Sequence, residues 1–344
     1  MNIKSQPHPS PSRVRRDETK GETKAGSGFP FCFIPPYAGR GPKGLAAMHL
    51  CVVAILLWLL SSCEKDFNIN ANGAGNEMAI NSLFNDGSPV VVFLTKPYAV
   101  TADTSNITAI PGAQIQLYED SIFKEVMHYV PSDTQNAFGS YVSNYLPKPG
   151  KTYTIKATAV NYTQATASDQ IPVPAELISS SLQQYIDTGA NQQGIMTMVF
   201  KDNPAVQNYY RINVWISGNQ ISINRQGDTT YTFQNFAMMT YPISLVNDTV
   251  RDGDFFLFSD RGFNGQEKAL QISFGTINPY GFSNLTLYVE LHTVSYAHYE
   301  YFQTLNLYRT TSNSAEPVFI YSNVNGGYGD FVAEHIQSIP FVIK

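Results

Sequence analysis

Apolar and polar positions alternate along much of the chain after residue 76, and this pattern predicts β-strands. Ile115 and Leu117 alternate with polar neighbours, and Tyr210, Ile212 and Val214 repeat the same spacing. A period of two places successive side chains on opposite faces of a sheet, so that one face is buried. The 21 Tyr and 21 Phe residues add side chains that favour strands. The sequence therefore predicts an all-β protein.

The strands fall into two predicted domains. Between residues 77 and 174, short strands are separated by turn signals at spacings of about 8–12 residues, which is typical of an immunoglobulin-like β-sandwich. Pro172, Pro174 and the serines at 179–181 predict a domain junction. Strands resume near Ile195, and residues 175–344 are predicted to form a second β-sandwich domain.

The second domain contains the single predicted helix, Ser295 to Thr311. Aromatic and leucine residues recur there at helical spacing, and Ser295 is suited to cap the helix N-terminus. The glycine-rich segment 325–329 is interpreted as a loop between two terminal strands, with glycines that permit positive φ.

An apolar run of eleven residues, 50–60, precedes the predicted domains. Its length matches the apolar region of a signal peptide and is shorter than the roughly 20 residues that span a bilayer. Leu60, Ser61, Ser62 and Cys63 follow, and they resemble the bacterial lipobox, in which the cysteine is acylated and becomes the mature N-terminus. Two or more acyl chains hold a protein stably on a membrane. We therefore predict a signal peptide over 48–62, lipidation of Cys63 and a lipidated tether over 63–76.

Residues 1–47 contain scattered prolines and basic residues with no apolar periodicity, which predicts a disordered extension. Because signal peptides begin at the N-terminus, we interpret this extension as an upstream mis-assigned start, with initiation at Met48 or slightly before it. Asp17, Glu18 and Glu22 interrupt the basic residues, which argues against a nucleic-acid-binding tail.

Charge and cysteine content exclude several kinds of partner. Residues 1–62 hold eight of the 22 basic and three of the 27 acidic residues, so the mature chain carries 14 against 24 and a net charge near −10. Such a chain repels nucleic acids and anionic headgroups. Cys32 and Cys51 lie before the predicted cleavage point and Cys63 would be acylated, so the predicted mature chain has no disulfide and no thiolate metal site.

Two groups of residues are candidate metal sites. Glu290, His292, His298 and Glu300 would share a face suited to zinc if residues 290–300 formed one strand, but the predicted helix breaks that spacing. Core-edge or solvated histidines are therefore favoured. The aspartates at 248, 252 and 254 do not have the intervals of a calcium loop and favour a hairpin turn.

Catalytic and cofactor motifs are also weak. The segment 326–329 lacks the Lys-Ser/Thr of a phosphate-binding loop. Ser259 and Ser322 lack the glycine-flanked setting of a nucleophilic serine. The sequence therefore predicts no catalytic residue, no metal and no cofactor.

Aromatic side chains provide one positive binding hypothesis, because their faces stack on sugars and apolar ligands. Most aromatic residues of a sandwich belong to its core, so a core position is the alternative to ligand contact for each candidate. The candidate ligand contacts are Tyr209, Tyr210, Trp215, Tyr280 and Phe282.

Short aromatic and acidic motifs follow one another in a characteristic order after residue 199. They are Phe200-Lys201-Asp202, Tyr209-Tyr210-Arg211, Phe258-Ser259-Asp260, Phe263-Asn264-Gly265, Tyr299-Glu300-Tyr301, Glu316-Pro317, Tyr321-Ser322-Asn323-Val324 and Gly326-Gly327. Together with the lipobox, this order resembles a Bacteroidetes outer-membrane lipoprotein family of unknown function. The resemblance implies genes that neighbour those of TonB-dependent receptors, and it supplies no catalytic residues. The charged residues after Cys63 resemble a signal for export to the cell surface.

These observations predict a lipid-anchored outer-membrane protein, exposed at the cell surface, that is not an enzyme. Its expected role is a binding or accessory component of a TonB-dependent uptake system, with a glycan or peptide as ligand. The alternative is a structural or adhesive surface protein. An enzyme would require a deep pocket lined by converging carboxylates.

Overall fold

Alternating side chains form strands throughout the part of the chain that a computed structural model describes, which comprises residues 75–97, 109–133, 138–186, 192–244, 248–277, 281–311 and 318–343. Those ranges contain nineteen strands and one helix. The predicted all-β class with one helix is therefore confirmed.

Eight strands precede Pro174 along the chain. They are β1 (Met78–Asn85), β2 (Val91–Thr95), β3 (Gln114–Glu119), β4 (Ile122–Val126), β5 (His128–Val130), β6 (Ser140–Val142), β7 (Thr152–Thr158) and β8 (Ala165–Gln170).

Eleven strands and the helix follow. The strands are β9 (Glu176–Ile186), β10 (Gln192–Lys201), β11 (Tyr209–Ile223), β12 (Thr229–Ala237), β13 (Thr240–Pro242), β14 (Val250–Asp252), β15 (Phe255–Ser259), β16 (Glu267–Ile277), β17 (Phe282–Val294), β18 (Val324–Asn325) and β19 (Gly327–Val342), and the helix α1 is Tyr296–Thr311.

The strands form three sheets. A ten-stranded sheet has the order β14-β15-β11-β17-β19-β1-β2-β6-β5, and its tenth strand, β12, pairs with β11. The second sheet has the order β13-β16-β10-β9 and the third the order β18-β8-β7-β3-β4. The ten-stranded sheet is thus common to both halves of the chain.

Two hydrophobic cores lie against the ten-stranded sheet. One is formed by β1, β2, β3, β6, β7 and β8, and Phe331 of β19 contributes to it by stacking on Phe84 at a centroid distance of 4.4 Å. The other is formed by β10, β11, β15, β16 and β17. Aligned sheets that bury one face each are the usual basis of a sandwich core.

The division at residue 174 stays a prediction. The two cores separate near that point, yet all the described residues belong to one compact unit and strands from both sides of residue 174 share a sheet.

Strand β19 joins the two halves. Its beginning pairs in parallel with β1, from Met78 opposite Gly327 to Asn85 opposite Glu334, and its later part pairs with β17. At Gly329, where φ is +98°, a Cβ atom would lie 1.9 Å from the carbonyl oxygen of Ile80. Only glycine fits such a close approach of two backbones.

The structure differs from the sequence-based elements in three places. The serine-rich segment after residue 175 is strand β9. Residues 209–223 form one continuous strand, although the alternation predicts separate strands over 208–217 and 220–225. Strand β19 begins inside the glycine-rich segment interpreted as a loop. The predicted positive φ is confirmed at Gly326 and Gly329, so these glycines permit close strand packing as well as turning.

The predicted N-cap of helix α1 is confirmed. The hydroxyl oxygen of Ser295 accepts a hydrogen bond from the backbone N–H of His298 at 3.0 Å. The Ser295 hydroxyl in turn donates to the carboxylate of Asp169 on β8, and the same carboxylate accepts from Ala333 N at 2.7 Å. Asp169 therefore connects the third sheet to the start of the helix and to β19.

Candidate functional site

Charged side chains gather on the face of the ten-stranded sheet that is covered by helix α1. Arg211 on β11 lies opposite His292 on β17, and Val294 of β17 lies opposite Glu334 of β19. Because side chains alternate along β11, Arg211, Asn213 and Trp215 point to this face while Tyr210, Ile212 and Val214 enter the core. The sheet register therefore brings together residues that are more than 120 positions apart.

His292 lies at the centre of this cluster. Its Nδ1 is 2.9 Å from Glu334 Oε2, and its Nε2 is 3.1 Å from Glu290 Oε2. Arg211 Nη1 lies 3.5 Å from Glu334 Oε2, and the Arg211 guanidinium lies 4.5 Å from the centre of the Phe255 ring. We call Arg211, Glu290, His292, His298 and Glu334 the buried charge cluster.

The protonation states within the buried charge cluster favour ion pairing. Burial alone would raise the pKa of Glu334, but the charges of His292 and Arg211 outweigh it and hold this pKa far below its usual range. Burial likewise opposes the protonated form of His292, yet the charge of Glu334 and the hydrogen bonds to Glu290 and Glu334 together raise the pKa of His292 above its ordinary value. Burial alone would also raise the pKa of Glu290, but the hydrogen bonds from His292 and Trp215 and the charges of His292 and Arg211 together lower it. Two cations and two anions therefore balance in this cluster.

His298 on helix α1 behaves differently. It is fully buried, and burial lowers its pKa to about 3 despite the nearby carboxylate of Glu334, whose Oε2 lies 3.8 Å from His298 Nδ1. Neither ring nitrogen has a hydrogen-bond partner, and the ring packs against Phe302 at 4.9 Å. The side chain is thus a neutral imidazole that lacks a partner in an otherwise paired environment.

The structure does not form the zinc site considered for Glu290, His292, His298 and Glu300. Strand β17 ends at Val294 and helix α1 begins at Tyr296, so the single strand that the hypothesis required is not formed. His292 and His298 nevertheless lie beside Glu334, and His292 also contacts Glu290. Among the residues with described positions, no group of three or more potential ligands is arranged to hold a metal ion.

Glu334 was missed by the sequence analysis. The signal that would have found it is the alternation Asp330, Val332, Glu334 against Phe331 and Ala333, which marks a strand directly after the segment interpreted as a loop. Strand assignment alone would still have left the partner of Glu334 unknown, because sheet register is a property of the fold.

The five aromatic candidates are not gathered into one platform. Tyr210 is fully buried in the core, and Tyr209 stacks on Tyr299 beneath the helix at 4.6 Å. Phe282 packs against the core edge and contacts Phe236 at 5.8 Å, whereas Tyr280 lies outside the described residues.

Trp215 is the candidate that lies on the open part of the sheet. It is partly buried, its ring stacks on Tyr288 at 4.0 Å, and the two planes differ by 6°. Its Nε1 donates to Glu290 Oε1 at 2.8 Å, which connects this aromatic pair to the buried charge cluster. The pair therefore marks the border between the covered and the uncovered part of the face.

Beyond Gln220, the last residue of β11 that pairs with β17, strands β11 and β12 continue as a hairpin that extends past the rest of the sheet. Every described β12 position is exposed except Gln234, which is partly buried. The hairpin exposes large apolar side chains, namely Ile223, Tyr231, Phe233 and Phe236. We call residues 218–237 the open hairpin.

Two of the short aromatic and acidic motifs carry aspartates that bind nearby loops, Asp202 and Asp260. Asp202 accepts hydrogen bonds from the Tyr210 hydroxyl at 2.5 Å and from Gly265 N at 2.6 Å. Asp260 accepts from Asn208 N at 2.8 Å. These carboxylates fix the loops that flank the start of β11, so the motifs position the strand that carries Arg211.

A shallow cavity of about 320 Å³ lies on the N-terminal part of the molecule. Its lining is Lys96, Ala109, Ile110, Pro111, Gly112, Ala159, Val160 and Tyr162. Converging carboxylates, which an enzyme of the kind considered above would need, do not line this cavity.

The predicted lipidation site is not among the residues that the structure describes. Cys63 and the lipobox residues Leu60, Ser61 and Ser62 fall outside the described residues. In the ranges that the structure describes, helix α1 is too short and too polar to cross a membrane.

No curated protein matches the chain. A structure of manganese lipoxygenase from Gaeumannomyces graminis with part of zonadhesin from Komagataella pastoris is 9% identical over 77% of this chain and 93% of that chain, with a TM-score of 0.17. The chitinase ChiA74 from Bacillus thuringiensis is 14% identical over 60% of this chain and 27% of its own, with a TM-score of 0.15. Neither similarity is high enough to indicate fold or function.

The sequence itself gives the family. The pattern of a family described as a domain of unknown function, DUF4249, matches residues 64–339, which is most of the chain. The protein therefore belongs to the DUF4249 family.

Proposed function

We propose that this protein is an outer-membrane lipoprotein of a Bacteroidetes bacterium, anchored through acylated Cys63 and exposed at the cell surface. In this proposal it serves as a non-catalytic binding or accessory component of a TonB-dependent uptake system. The lipobox supports the anchor, and the family match begins at residue 64, directly after the cysteine.

The observation that carries the proposed binding role is the contrast between the buried charge cluster and the open hairpin of the ten-stranded sheet. The buried charge cluster has the residue types of an active site, but its charges are paired and helix α1 covers it. The open hairpin instead exposes apolar side chains and a strand edge, which are features of protein interaction sites. Binding therefore fits the exposed groups better than catalysis does.

The length of the tether agrees with such a role. Strand β1 begins at Met78, fifteen residues after the cysteine that would be acylated. A fully extended chain of that length reaches at most about 50 Å. The folded part would thus stay close enough to the bilayer to contact the outer surface of a membrane-embedded receptor.

The experiment begins with the native protein in intact cells. Protease shaving followed by mass spectrometry of the N-terminal peptide should give a surface-exposed chain that starts at diacylated or triacylated Cys63. Purification in a mild detergent should then recover a TonB-dependent receptor in a fixed ratio, and a Cys63→Ser variant should lose both the membrane anchor and the receptor.

Three results would contradict the proposal. They are an unmodified N-terminus, a chain that resists shaving, and a purified native protein without a receptor. A deletion strain with normal nutrient uptake and altered attachment would support the structural or adhesive alternative instead.

A further inference from the structure

The open hairpin leaves β12 at an edge of the sheet. Strand β15 pairs with β11 only as far as Asn213, and β17 pairs with it as far as Gln220. Strand β12 pairs with β11 from Trp215 opposite Ala237 to Ile223 opposite Thr229. No other described strand pairs with β12, so its second edge is open within the described structure.

Two backbone hydrogen bonds show which groups of β12 point to this open edge. Met238 N donates to Val214 O at 2.8 Å, and Asn224 N donates to Asp228 O at 3.0 Å. In an antiparallel pair, hydrogen-bonded residues alternate with residues whose backbone groups point away. The even-numbered residues of β12 therefore bond to β11, and Tyr231, Phe233 and Asn235 direct their N–H and C=O groups outwards.

The open edge lacks the usual features that prevent strand addition. Natural edge strands carry charges, prolines or bulges that block pairing with other chains. Strand β12 contains no Asp, Glu, Lys, Arg or Pro, and its pairing with β11 has no register shift. In the surrounding segment 212–247, Arg225 and Asp228 at the hairpin tip are the charged residues of those four types.

One face of the hairpin adds an apolar strip beside this edge. Tyr231, Phe233 and Ile223 lie on the same face as Trp215, and they are 64%, 57% and 70% exposed. An aromatic side chain has roughly 150–250 Å² to bury, so the three together offer on the order of 300–400 Å². This area is comparable to the largest apolar patch of a typical monomer, which is often functional.

Charge determines which occupant fits the edge. The mature chain carries a net charge near −10, so a second copy would bring two strongly negative bodies together, and an anionic membrane surface would also be repelled. An uncharged strand of another protein incurs no such repulsion and satisfies the outward N–H and C=O groups.

We propose that the open edge of β12 binds an extended, uncharged segment of the partner receptor as an additional β-strand. Apolar side chains of that segment would cover Tyr231 and Phe233. This inference rests on the proposed function, because it takes the receptor as the partner.

Site-specific photo-crosslinking tests the proposal. The full-length lipoprotein carries p-benzoylphenylalanine in place of Tyr231 and is activated in intact cells. The matched control carries it in place of Ile122, which is also 64% exposed and lies on β4, an edge strand of the third sheet. We expect a crosslink to the TonB-dependent receptor from position 231, at least ten times stronger than from position 122, and mass spectrometry should locate it in an uncharged receptor segment.

A backbone variant provides an independent readout. Asn235→Pro removes an outward N–H while keeping the bonds to β11, and Asn235→Ala changes the same side chain without removing the N–H. We expect at least a tenfold loss of copurified receptor for Asn235→Pro and less than a twofold loss for Asn235→Ala, with unchanged thermal unfolding of both.

The outcomes separate this inference from the proposed function. Copurification of receptor with equal crosslinking at both positions would overturn the inference and leave the proposed function intact. Crosslinks to a second copy of the chain or to lipid alone would overturn it in favour of those occupants. Loss of the receptor from the unmodified protein would overturn both.

Discussion

The two ends of strand β11 have opposite surroundings although they belong to one continuous strand. At its start, Arg211 lies between β15 and β17 under helix α1 and is held by Glu334 and Phe255. At its end, Ile223 pairs only with β12 within the described structure, and both hairpin strands are exposed. The covered end has charged side chains where apolar ones are usual, and the exposed end has apolar side chains where charged ones are usual.

This difference indicates different roles for the two ends. Buried charges are expensive unless they are paired, so the buried charge cluster can persist only as a specific, fixed arrangement. Exposed apolar side chains contribute little to folding and are usually retained for contact with another molecule. We therefore expect substitutions at the covered end to change stability and substitutions at the open hairpin to change binding.

The largest expected effect on the free energy of unfolding comes from a substitution of Glu334. Glu334→Gln leaves His292 and Arg211 as buried cations with one carboxylate fewer, and removal of one partner from a buried ion pair costs about 3–5 kcal/mol. Urea unfolding should show this loss at pH 7. The control Glu176→Gln changes an exposed glutamate and should stay within about 0.5 kcal/mol. A loss below about 1 kcal/mol for Glu334→Gln would contradict the structural role of the cluster.

The next largest effect is the pH dependence that His298 gives to the free energy of unfolding. Burial lowers the pKa of His298 to about 3 in the folded protein, while the unfolded chain binds this proton near pH 6.5. Between these values the unfolded state holds more protons, so the free energy of unfolding decreases as pH falls, by at most about 1.4 kcal/mol per pH unit.

Thermal unfolding between pH 4.5 and 6.5 tests this expectation. His298→Leu removes the titrating ring, and the unfolding temperature should then depend less on pH than in the unmodified protein. The carboxylates of Glu290 and Glu334, whose pKa values are lowered, lose their stabilising effect mainly below this range. Parallel pH profiles for the two proteins would show that His298 is not buried as a neutral imidazole.

A smaller effect is expected when the open hairpin is shortened. Replacing residues 221–231 by Asn-Gly joins Gln220 to Thr232 through a two-residue turn, because this pair is hydrogen bonded and suits such a turn. We expect the free energy of unfolding to change by less than about 1 kcal/mol, since the removed residues are largely exposed. A loss of several kcal/mol would show that the hairpin supports the fold.

The smallest effect on stability is expected for Tyr231→Ser. The ring is mostly exposed, so the free energy of unfolding should stay within about 0.5 kcal/mol. Receptor recovery in mild detergent should nevertheless decrease severalfold. Unchanged recovery of the receptor would show that the Tyr231 side chain is not part of the proposed interface.

Local features of the fold could be predicted from the sequence. The alternation in Tyr210, Ile212 and Val214 gave the buried face of β11, and the Ser295 cap gave the start of helix α1. Both depend on residues that are close together in the chain, where periodicity and capping chemistry act directly.

Long-range features could not be predicted in this way. The parallel pairing of β1 with β19 joins segments about 250 residues apart, and no local pattern encodes it. Glu334 was missed for a similar reason, because its partners depend on the pairing of β19 with β17 and of β17 with β11. The exposure of Tyr231 and Phe233 was also hidden, since their alternation equally suits a strand with one buried face.

The most direct measurement is residue-resolved amide hydrogen exchange of β11 and β12, with and without the copurified receptor. In the free protein, Arg211 to Val214 should exchange slowly, and the outward amides of Tyr231, Phe233 and Asn235 should exchange fastest. In the complex, those three amides should become protected while the start of β11 is unchanged. Equal protection of both ends in the free protein, or no change at β12 in the complex, would contradict the division of β11 into a structural and a binding end.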